Sequence, residues 1–246
     1  MPHRQLLADF VRDGFAVFPR LIAPDAITAV RTRIDADLRD NYDPARQSEY
    51  DARSFCPTLR GSPQIMSLFH HVEVRRRIDA LIGMDRVGFD GGQIAIRRAH
   101  NVKRPQPPVP HIDGIQTPTN EQSSVELNPF SLLVGVFLSD VPTQFAGNFT
   151  VWPGSHHLIE AYFRQRGSRA MREDMPQVAL PKPQQLLCSA GDVVFCHYQL
   201  AHAAAVNTAD FDRYAVFFRV WHHDLTLREA RWQHLTNIWT DWKVGP

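Results

Sequence analysis

Long apolar runs are missing from this chain of 246 residues, and so is any excess of charge of one sign. No stretch approaches the roughly 18 apolar residues that a membrane-spanning helix needs. The formal net charge of +1 gives no electrostatic reason to expect nucleic acid or an anionic membrane as the main partner. The first residues also lack the long apolar centre of a signal peptide. We therefore expect a cytoplasmic protein that binds neither nucleic acid nor membranes.

Cysteine is scarce as well. Cys56, Cys188 and Cys196 form no C-x-x-C pair and no disulfide framework, so the sequence predicts free thiols in a reducing compartment. Histidine, in contrast, is plentiful, with 12 residues. Adjacent histidines diverge on either a strand or a helix, so the three His-His doublets do not by themselves predict a metal site.

The order of predicted elements favours a mainly β fold with flanking helices. A helix starts at Pro24, and a second starts at Ser62-Pro63 and runs to Gly83. From about residue 87, short apolar runs alternate with turn signals and no helices lie between them, which is typical of an antiparallel sandwich or barrel. We expect one domain over residues 1–246, comprising a helical part (about 1–86), a β core (about 87–224) and a C-terminal helix (about 225–242).

The short run His111-Ile-Asp113 carries the strongest chemical signal. Residues i and i+2 of a strand point to the same side, so the imidazole and the carboxylate can reach one point in space. His202, about 90 positions later, can supply a second imidazole. Two histidines and one carboxylate on one face of a metal leave the opposite positions open, as non-haem Fe(II) oxygenases require.

An arginine suited to binding an organic acid follows the second histidine. In the alternating run from Arg213 onwards, Arg213, Ala215, Phe217 and Arg219 share one face. An arginine that points into a core needs a partner, and a planar guanidinium pairs best with a carboxylate. The sequence therefore predicts a three-ligand metal site beside an anchor for a keto acid, with Arg213 or Arg219 as that anchor.

Two polar loops flank the proposed ligands, at residues 101–110 and 114–129. Long loops of this kind in a compact domain are often lids or binding loops. We interpret them as the rim of a substrate site, with a simple surface excursion as the alternative.

Together these motifs resemble the phytanoyl-CoA dioxygenase-like family of Fe(II)/2-oxoglutarate-dependent oxygenases. The resemblance covers most of the chain in order. It rests on the N-terminal DGFAVFPRLIAPDAITAVRTRI segment, the His-x-Asp pair, the Gly147-to-His156 stretch GNFTVWPGSH, and the GDVVF strand followed by His202, Asn207 and Arg213. It implies a double-stranded β-helix (jelly-roll) core with N- and C-terminal helices packed outside.

The resemblance also implies roles for particular residues. The iron ligands would be His111, Asp113 and His202, and Arg213 would bind the distal carboxylate of 2-oxoglutarate. Other residues expected near 2-oxoglutarate are Gln93, Arg97, Val134 and Thr150. His197 is the alternative third ligand, Arg219 the alternative anchor, and His156 is expected to have a structural role.

The expected activity follows from these roles. The cofactors would be Fe(II) and 2-oxoglutarate with O₂, and the substrate a small molecule hydroxylated at a C–H bond with release of succinate and CO₂. Related halogenases carry a small residue in place of the carboxylate, so Asp113 favours hydroxylation or another oxidation over halogenation. The alternative is a non-catalytic or 2-oxoglutarate-independent metal-binding protein of cupin type.

Overall fold

The computed structural model describes residues 3–100, 102–114, 130–167, 170, 175–226 and 228–245. The predicted substrate-rim loop at 114–129 lies outside these residues except for Gly114. The helices are α1 (His3–Asp13), α2 (Pro24–Asn41), α3 (Gln47–Ala52), α4 (Pro63–His70), α5 (Val72–Ile82), α6 (Ser155–Arg166) and α7 (Arg228–Thr236).

Local signals in the sequence account for the helices of the first third. In α2 the buried residues Ile27, Val30 and Ile34 recur at helical spacing and form one apolar stripe. The Ser62 hydroxyl accepts a hydrogen bond from the backbone N–H of Ile65 and so caps α4. The helix expected from Ser62 to Gly83 is in fact two helices, because His71 has an extended backbone that separates α4 from α5.

Two antiparallel sheets form the β part of the molecule. The larger has the order β1–β7–β4–β9–β2, and β3 also pairs with the long strand β9; the smaller has the order β6–β5–β8. The strands are β1 (Phe15–Phe18), β2 (Val87–Phe89), β3 (Gln93–Arg97), β4 (Leu132–Phe137), β5 (Phe149–Val151), β6 (Gln184–Gln185), β7 (Val193–His197), β8 (His202–Ala204) and β9 (Arg213–His222).

The large sheet separates two apolar cores. On one face Val134, Val216 and Phe218 pack with residues of α2, α4 and α5. On the other face Leu133, Ala215 and Phe217 pack with residues of the small sheet. The rings of Phe149 in β5 and Phe217 in β9 lie 5.3 Å apart, so the two sheets face each other across this second core.

The expected fold class, a mainly β jelly-roll-type core with helices outside, is confirmed. Within the described residues the two sheets share no hydrogen-bonded strand pair, so they form a sandwich and not a closed barrel. The C-terminal helix is shorter than expected: α7 ends at Thr236, and turns lead from there to Trp242.

Candidate metal centre

The two histidines of the predicted triad lie on neighbouring stretches of backbone. His111 forms an antiparallel bridge with His202 at the start of β8, and the two residues exchange N–H···O=C hydrogen bonds of 3.0 and 2.9 Å. The Pro-Gly-Ser turn supports β8 from behind, because the Ser155 hydroxyl accepts a hydrogen bond of 2.9 Å from the backbone N–H of Ala201. The buried Ser155 therefore supports the site. Apart from its place in the Pro-Gly-Ser motif, the sequence does not mark this residue as part of the site.

One ligand atom from each of His111, Asp113 and His202 lies within 4.8 Å of the other two. His111 Nε2 is 3.7 Å from Asp113 Oδ1, and His202 Nε2 is 3.8 Å from Asp113 Oδ2. These distances are too long for hydrogen bonds. They are slightly longer than the about 3.0–3.4 Å that separates neighbouring ligand atoms when bonds of about 2.1 Å from nitrogen or oxygen to a divalent metal meet at about 90–109°, so small shifts of the side chains bring them onto one ion.

The protonation states of the three side chains also suit a cation. Burial, with His202 nearby, lowers the pKa of His111 to about 4, so its imidazole is neutral at pH 7. His202 Nδ1 lies 2.9 Å from the Leu200 carbonyl, and the hydrogen on Nδ1 that this contact requires leaves Nε2 as the free acceptor. Burial alone would raise the pKa of Asp113, but the charge of Arg219, with the two histidines nearby, outweighs it and holds that pKa well below its usual range.

Arg219 is bound to the carboxylate of the triad. Its Nη2 and Nε lie 2.6 and 2.8 Å from Asp113 Oδ2, and its Nη1 donates to Gln93 Oε1 at 2.7 Å. The sequence placed Arg219 on the correct face but gave no signal for this pairing, because nothing in it linked position 219 to the His-x-Asp segment. The contacts with Asp113 and Gln93 leave Arg219 less suited than Arg213 to act as the anchor for 2-oxoglutarate.

Arg213 is deeply buried, yet no acidic residue in the part of the chain that the structure describes pairs with it. It is 2% exposed, and none of the ion pairs formed by the described residues includes it. Its Nε donates to the Gly147 carbonyl at 2.8 Å and its Nη1 to the Ala95 carbonyl at 3.1 Å. Burial, with Arg97 nearby, lowers its pKa to about 9, so the guanidinium is charged at pH 7. A buried cation held only by backbone carbonyls lacks the anion that would balance its charge.

Gln93 and Arg97 lie on the same side of the large sheet as Arg213. In the antiparallel register of β3 and β9, Arg97 pairs with Arg213, Ala95 with Ala215 and Gln93 with Phe217. Arg97 also forms an ion pair of 3.2 Å with Asp51 of α3. The structure therefore brings Gln93 and Arg97 together with Arg213 and the metal-ligand cluster.

Val134 and Thr150, the other two residues expected near 2-oxoglutarate, point elsewhere. Val134 packs in the helix-side core, opposite Phe218 of β9, on the face away from Arg213. Thr150 pairs with Ala203, the residue after His202. Because successive side chains of a strand point to opposite faces, Thr150 lies on the other side of the small sheet from His202. Neither residue belongs to the site as the structure places it.

The competing histidines are engaged in packing. His197 Nε2 lies 3.0 Å from the Ile238 carbonyl, its Nδ1 accepts the backbone N–H of Gln199, and its ring stacks on Trp242. His156 Nε2 lies 3.1 Å from the Val11 carbonyl at the end of α1. His197 is thus unsuited to be the third ligand, and His156 has the structural surroundings expected for it.

A comparison with protein-family models matches residues 10–215 to the family described as phytanoyl-CoA dioxygenase (PhyH). The chain belongs to this family. The match spans the N-terminal helices, all three members of the triad and Arg213. It confirms the expected family and enzyme class, and at the level of the family it also confirms Fe(II) and 2-oxoglutarate as the cofactors. No curated protein sequence matches the chain.

Several solved structures share the fold of this chain. The non-haem α-ketoglutarate-dependent epimerase SnoN from nogalamycin biosynthesis is 18% identical, with a TM-score of 0.60 over 89% of this chain and 82% of SnoN. HygX from Streptomyces hygroscopicus, with nickel and 2-oxoglutarate bound, is 17% identical, with a TM-score of 0.61 over 90% of this chain and 88% of HygX. The carbocyclase SnoK, from the same biosynthesis as SnoN, is 22% identical, with a TM-score of 0.58 over 88% of this chain and 83% of SnoK.

The helices of this family member are short or amphipathic. None of those in the described residues combines the length and the apolar character that crossing a membrane would require.

Proposed function

We propose that this protein is an Fe(II)- and 2-oxoglutarate-dependent oxygenase that hydroxylates a C–H bond of a small-molecule metabolite. One observation carries the proposal: His111, Asp113 and His202 converge on one point, and β9 carries a buried arginine, Arg213, that pairs with none of the acidic residues the structure describes. The first arrangement suits a divalent metal and the second a carboxylate. A keto acid that binds the metal and ends in a carboxylate would satisfy both.

Each side chain has a defined part in this proposal. Neutral His111 and His202 would donate ring nitrogens to iron, and ionised Asp113 would donate a carboxylate oxygen. Arg213 would bind the distal carboxylate of 2-oxoglutarate, and the adjacent Arg97 would add positive charge. When bound, Fe(II) and 2-oxoglutarate supply the power to oxidise an unactivated C–H bond with O₂, giving succinate and CO₂.

The fixed carbonyls of Gly147 and Ala95 restrict Arg213 to one orientation before any ligand arrives. The aromatic ring of Phe149 packs 5.4 Å from that of His202 and keeps water from that side of the imidazole. The chain thus contributes a preformed and partly dry site, and the oxidation belongs to the cofactors.

The relatives support a small organic substrate. HygX has been crystallised with hygromycin B and SnoN with nogalamycin RO. SnoN is described as an epimerase and SnoK as a carbocyclase, so proteins of this fold do not share one reaction. Hydroxylation is therefore proposed for this chain and is not taken from those structures. We further propose that residues 1–246 act as one catalytic domain, which is supported by the pairing of N-terminal β1 with β7 in the sheet that carries Arg213.

An anaerobic titration tests the proposal without knowledge of the substrate. Metal-free protein would receive Fe(II) and then 2-oxoglutarate, and the weak visible charge-transfer band of a metal-chelated keto acid would be recorded. We expect a band that is lost in His202→Ala and that needs much more 2-oxoglutarate in Arg213→Ala. Iron binding without any band would contradict the proposal and leave a 2-oxoglutarate-independent metal-binding protein.

A further inference from the structure

We propose that Arg219, supported by Gln93, is a positioning residue that leaves Asp113 only one carboxylate oxygen for the metal. The inference rests on the proposed function, which makes Asp113 a metal ligand. It assigns a role that differs from both the 2-oxoglutarate anchor at Arg213 and the three ligands themselves.

The contacts of Asp113 are strongly asymmetric. Arg219 Nε donates to Oδ2 at 2.8 Å, and its Nη2 lies 2.6 Å from the same oxygen. Among the described residues, no hydrogen bond ends on Oδ1. Each oxygen lies near one proposed ligand, Oδ1 3.7 Å from His111 Nε2 and Oδ2 3.8 Å from His202 Nε2, but only Oδ2 carries the guanidinium.

Gln93 fixes the guanidinium from the other side. Its Oε1 accepts a hydrogen bond of 2.7 Å from Arg219 Nη1. Gln93 lies on β3 opposite Phe217, two residues before Arg219 on β9, so the strand register brings the two side chains together. With Nε bonded to Asp113 and Nη1 to Gln93, the plane of the guanidinium is set, and the direction of the hydrogen bond to Asp113 is set with it.

The exposure of the pair argues for a role beyond folding. The Arg219 side chain is 41% exposed, whereas that of Asp113 is 9% exposed. An arginine this exposed adds little to stability through one ion pair. Instead, Arg219 balances the negative charge of the Asp113 carboxylate, which is largely removed from water, and fixes its orientation.

Orientation matters because a carboxylate can bind a divalent cation through one oxygen or through two. Two histidines and one carboxylate oxygen would fill three of the six positions of an octahedral ion and would leave three for 2-oxoglutarate and O₂. Binding through both oxygens would remove one of these positions. The guanidinium on Oδ2 competes with the metal for that oxygen and so disfavours the second bond.

Mn(II) provides a direct test, because enhancement of water-proton relaxation reports how many water molecules coordinate the bound ion. We expect three coordinated waters in the unmodified protein and two in Arg219→Met, a decrease in relaxivity per bound ion of about one third from the octahedral count. The affinity of the Mn(II)-loaded protein for 2-oxoglutarate should also fall, by about tenfold, in the same variant, since changes to groups that orient a metal ligand cost about 10- to 100-fold.

Variants of the supporting glutamine separate positioning from a general structural effect. Gln93→Leu should lower the relaxivity in the same direction but by less, whereas Gln93→Glu keeps an acceptor for Arg219 and should retain the normal value. The matched control is Arg76→Met, which removes an arginine paired with Glu73 on α5 and should change neither quantity. If Arg219→Met fails to fold, Arg219→Lys, which can donate through one nitrogen only, replaces it together with Gln93→Leu.

The possible outcomes are distinct. Normal relaxivity and normal 2-oxoglutarate affinity in both Arg219→Met and Gln93→Leu would overturn the positioning role and leave the proposed function intact. An unmodified protein with no Mn(II) binding that depends on His202 would overturn the proposed function and this inference with it. A lower relaxivity that Gln93→Glu restores supports the inference.

Discussion

His111 and His202 are joined through their backbones, each donating its N–H to the carbonyl of the other. The two imidazoles, whose ring centres are 4.5 Å apart, are therefore brought together by the β structure and do not need a metal to meet. A site built in this way is organised before its metal arrives. Its behaviour without metal should differ from that of small domains that fold only around an ion.

Removal of the metal with a chelator should leave the fold intact. We expect an unchanged far-ultraviolet circular dichroism spectrum. The free energy of unfolding should fall only by the linkage contribution of the metal, about 2.7 kcal/mol when its concentration is 100 times its Kd, and the melting temperature should fall accordingly. Differential scanning calorimetry with and without chelator measures this. Loss of the cooperative transition in the metal-free protein would mean that the metal holds the fold together.

Asp113→Ala should abolish iron-dependent turnover and leave the fold intact. Changes to groups that merely support a metal ligand cost about 10- to 100-fold, and loss of a ligand should exceed that range. Succinate formation from 2-oxoglutarate measures the effect, and His70→Ala, an exposed histidine of α4, is the matched control. Turnover within tenfold of the unmodified protein would remove Asp113 from the ligand set.

Arg213→Lys should weaken 2-oxoglutarate binding although it keeps the positive charge. Lysine cannot reproduce the two-pronged geometry of a guanidinium, and a hydrogen bond to a charged group contributes about 1.5–3 kcal/mol, or roughly 10- to 150-fold in affinity. Calorimetric titration of the Mn(II)-loaded protein gives the value. Arg98→Lys, which alters an arginine paired with Asp212, is the control. Equal affinity in Arg213→Lys and the unmodified protein would move the anchor to another residue.

The affinity for 2-oxoglutarate should decrease at alkaline pH. Burial, with Arg97 nearby, lowers the pKa of Arg213 to about 9. The charged form binds the carboxylate, so affinity should be constant between pH 6 and 8. Above the pKa it should fall by about tenfold per pH unit. Titrations of the Ni(II)-loaded protein between pH 7 and 10 test this, and a flat profile to pH 10 would show that Arg213 stays charged or does not contact the ligand.

Gly147→Ala should disturb Arg213 indirectly. A Cβ at Gly147 would lie 2.7 Å from Cβ of Arg97 and 3.2 Å from Cβ of Arg213, and the carbonyl of Gly147 accepts the Arg213 Nε hydrogen bond. Gly167 has a similar positive φ, with nothing within 4 Å of an added Cβ. Both alanine variants should lose about 1–2 kcal/mol of unfolding free energy from the left-handed backbone. Only Gly147→Ala should also weaken 2-oxoglutarate binding, and equal binding in the two variants would contradict the crowding argument.

Much of this architecture was predictable from local pattern. The residues of β3, Gln93–Arg97, alternate between a partly exposed face and a buried face, which is the pattern of a strand with one side in the core. The three proposed metal ligands and the position of Arg213 could be predicted from the spacing of the motifs and from the alternation of side chains along a strand. The spacing of Ile27, Val30 and Ile34 likewise defined the buried stripe of α2.

Other features depend on contacts that a single sequence does not encode. All six residues of β4 are buried, so polar and apolar residues do not alternate along this strand. The sequence therefore does not indicate which side of β4 faces the site, and the expectation that Val134 lies near 2-oxoglutarate was wrong for this reason. The same holds for Thr150 in the fully buried β5. The ion pair of Arg219 with Asp113 joins residues 106 apart and depends on the sheet register.

The most direct test of the account is a crystal structure of the protein with Mn(II) and 2-oxoglutarate under anaerobic conditions. We expect a metal bound by His111, Asp113 and His202, with the distal carboxylate of 2-oxoglutarate on the guanidinium of Arg213. A metal bound elsewhere, or a 2-oxoglutarate carboxylate on Arg219 with Arg213 left on its backbone carbonyls, would contradict it.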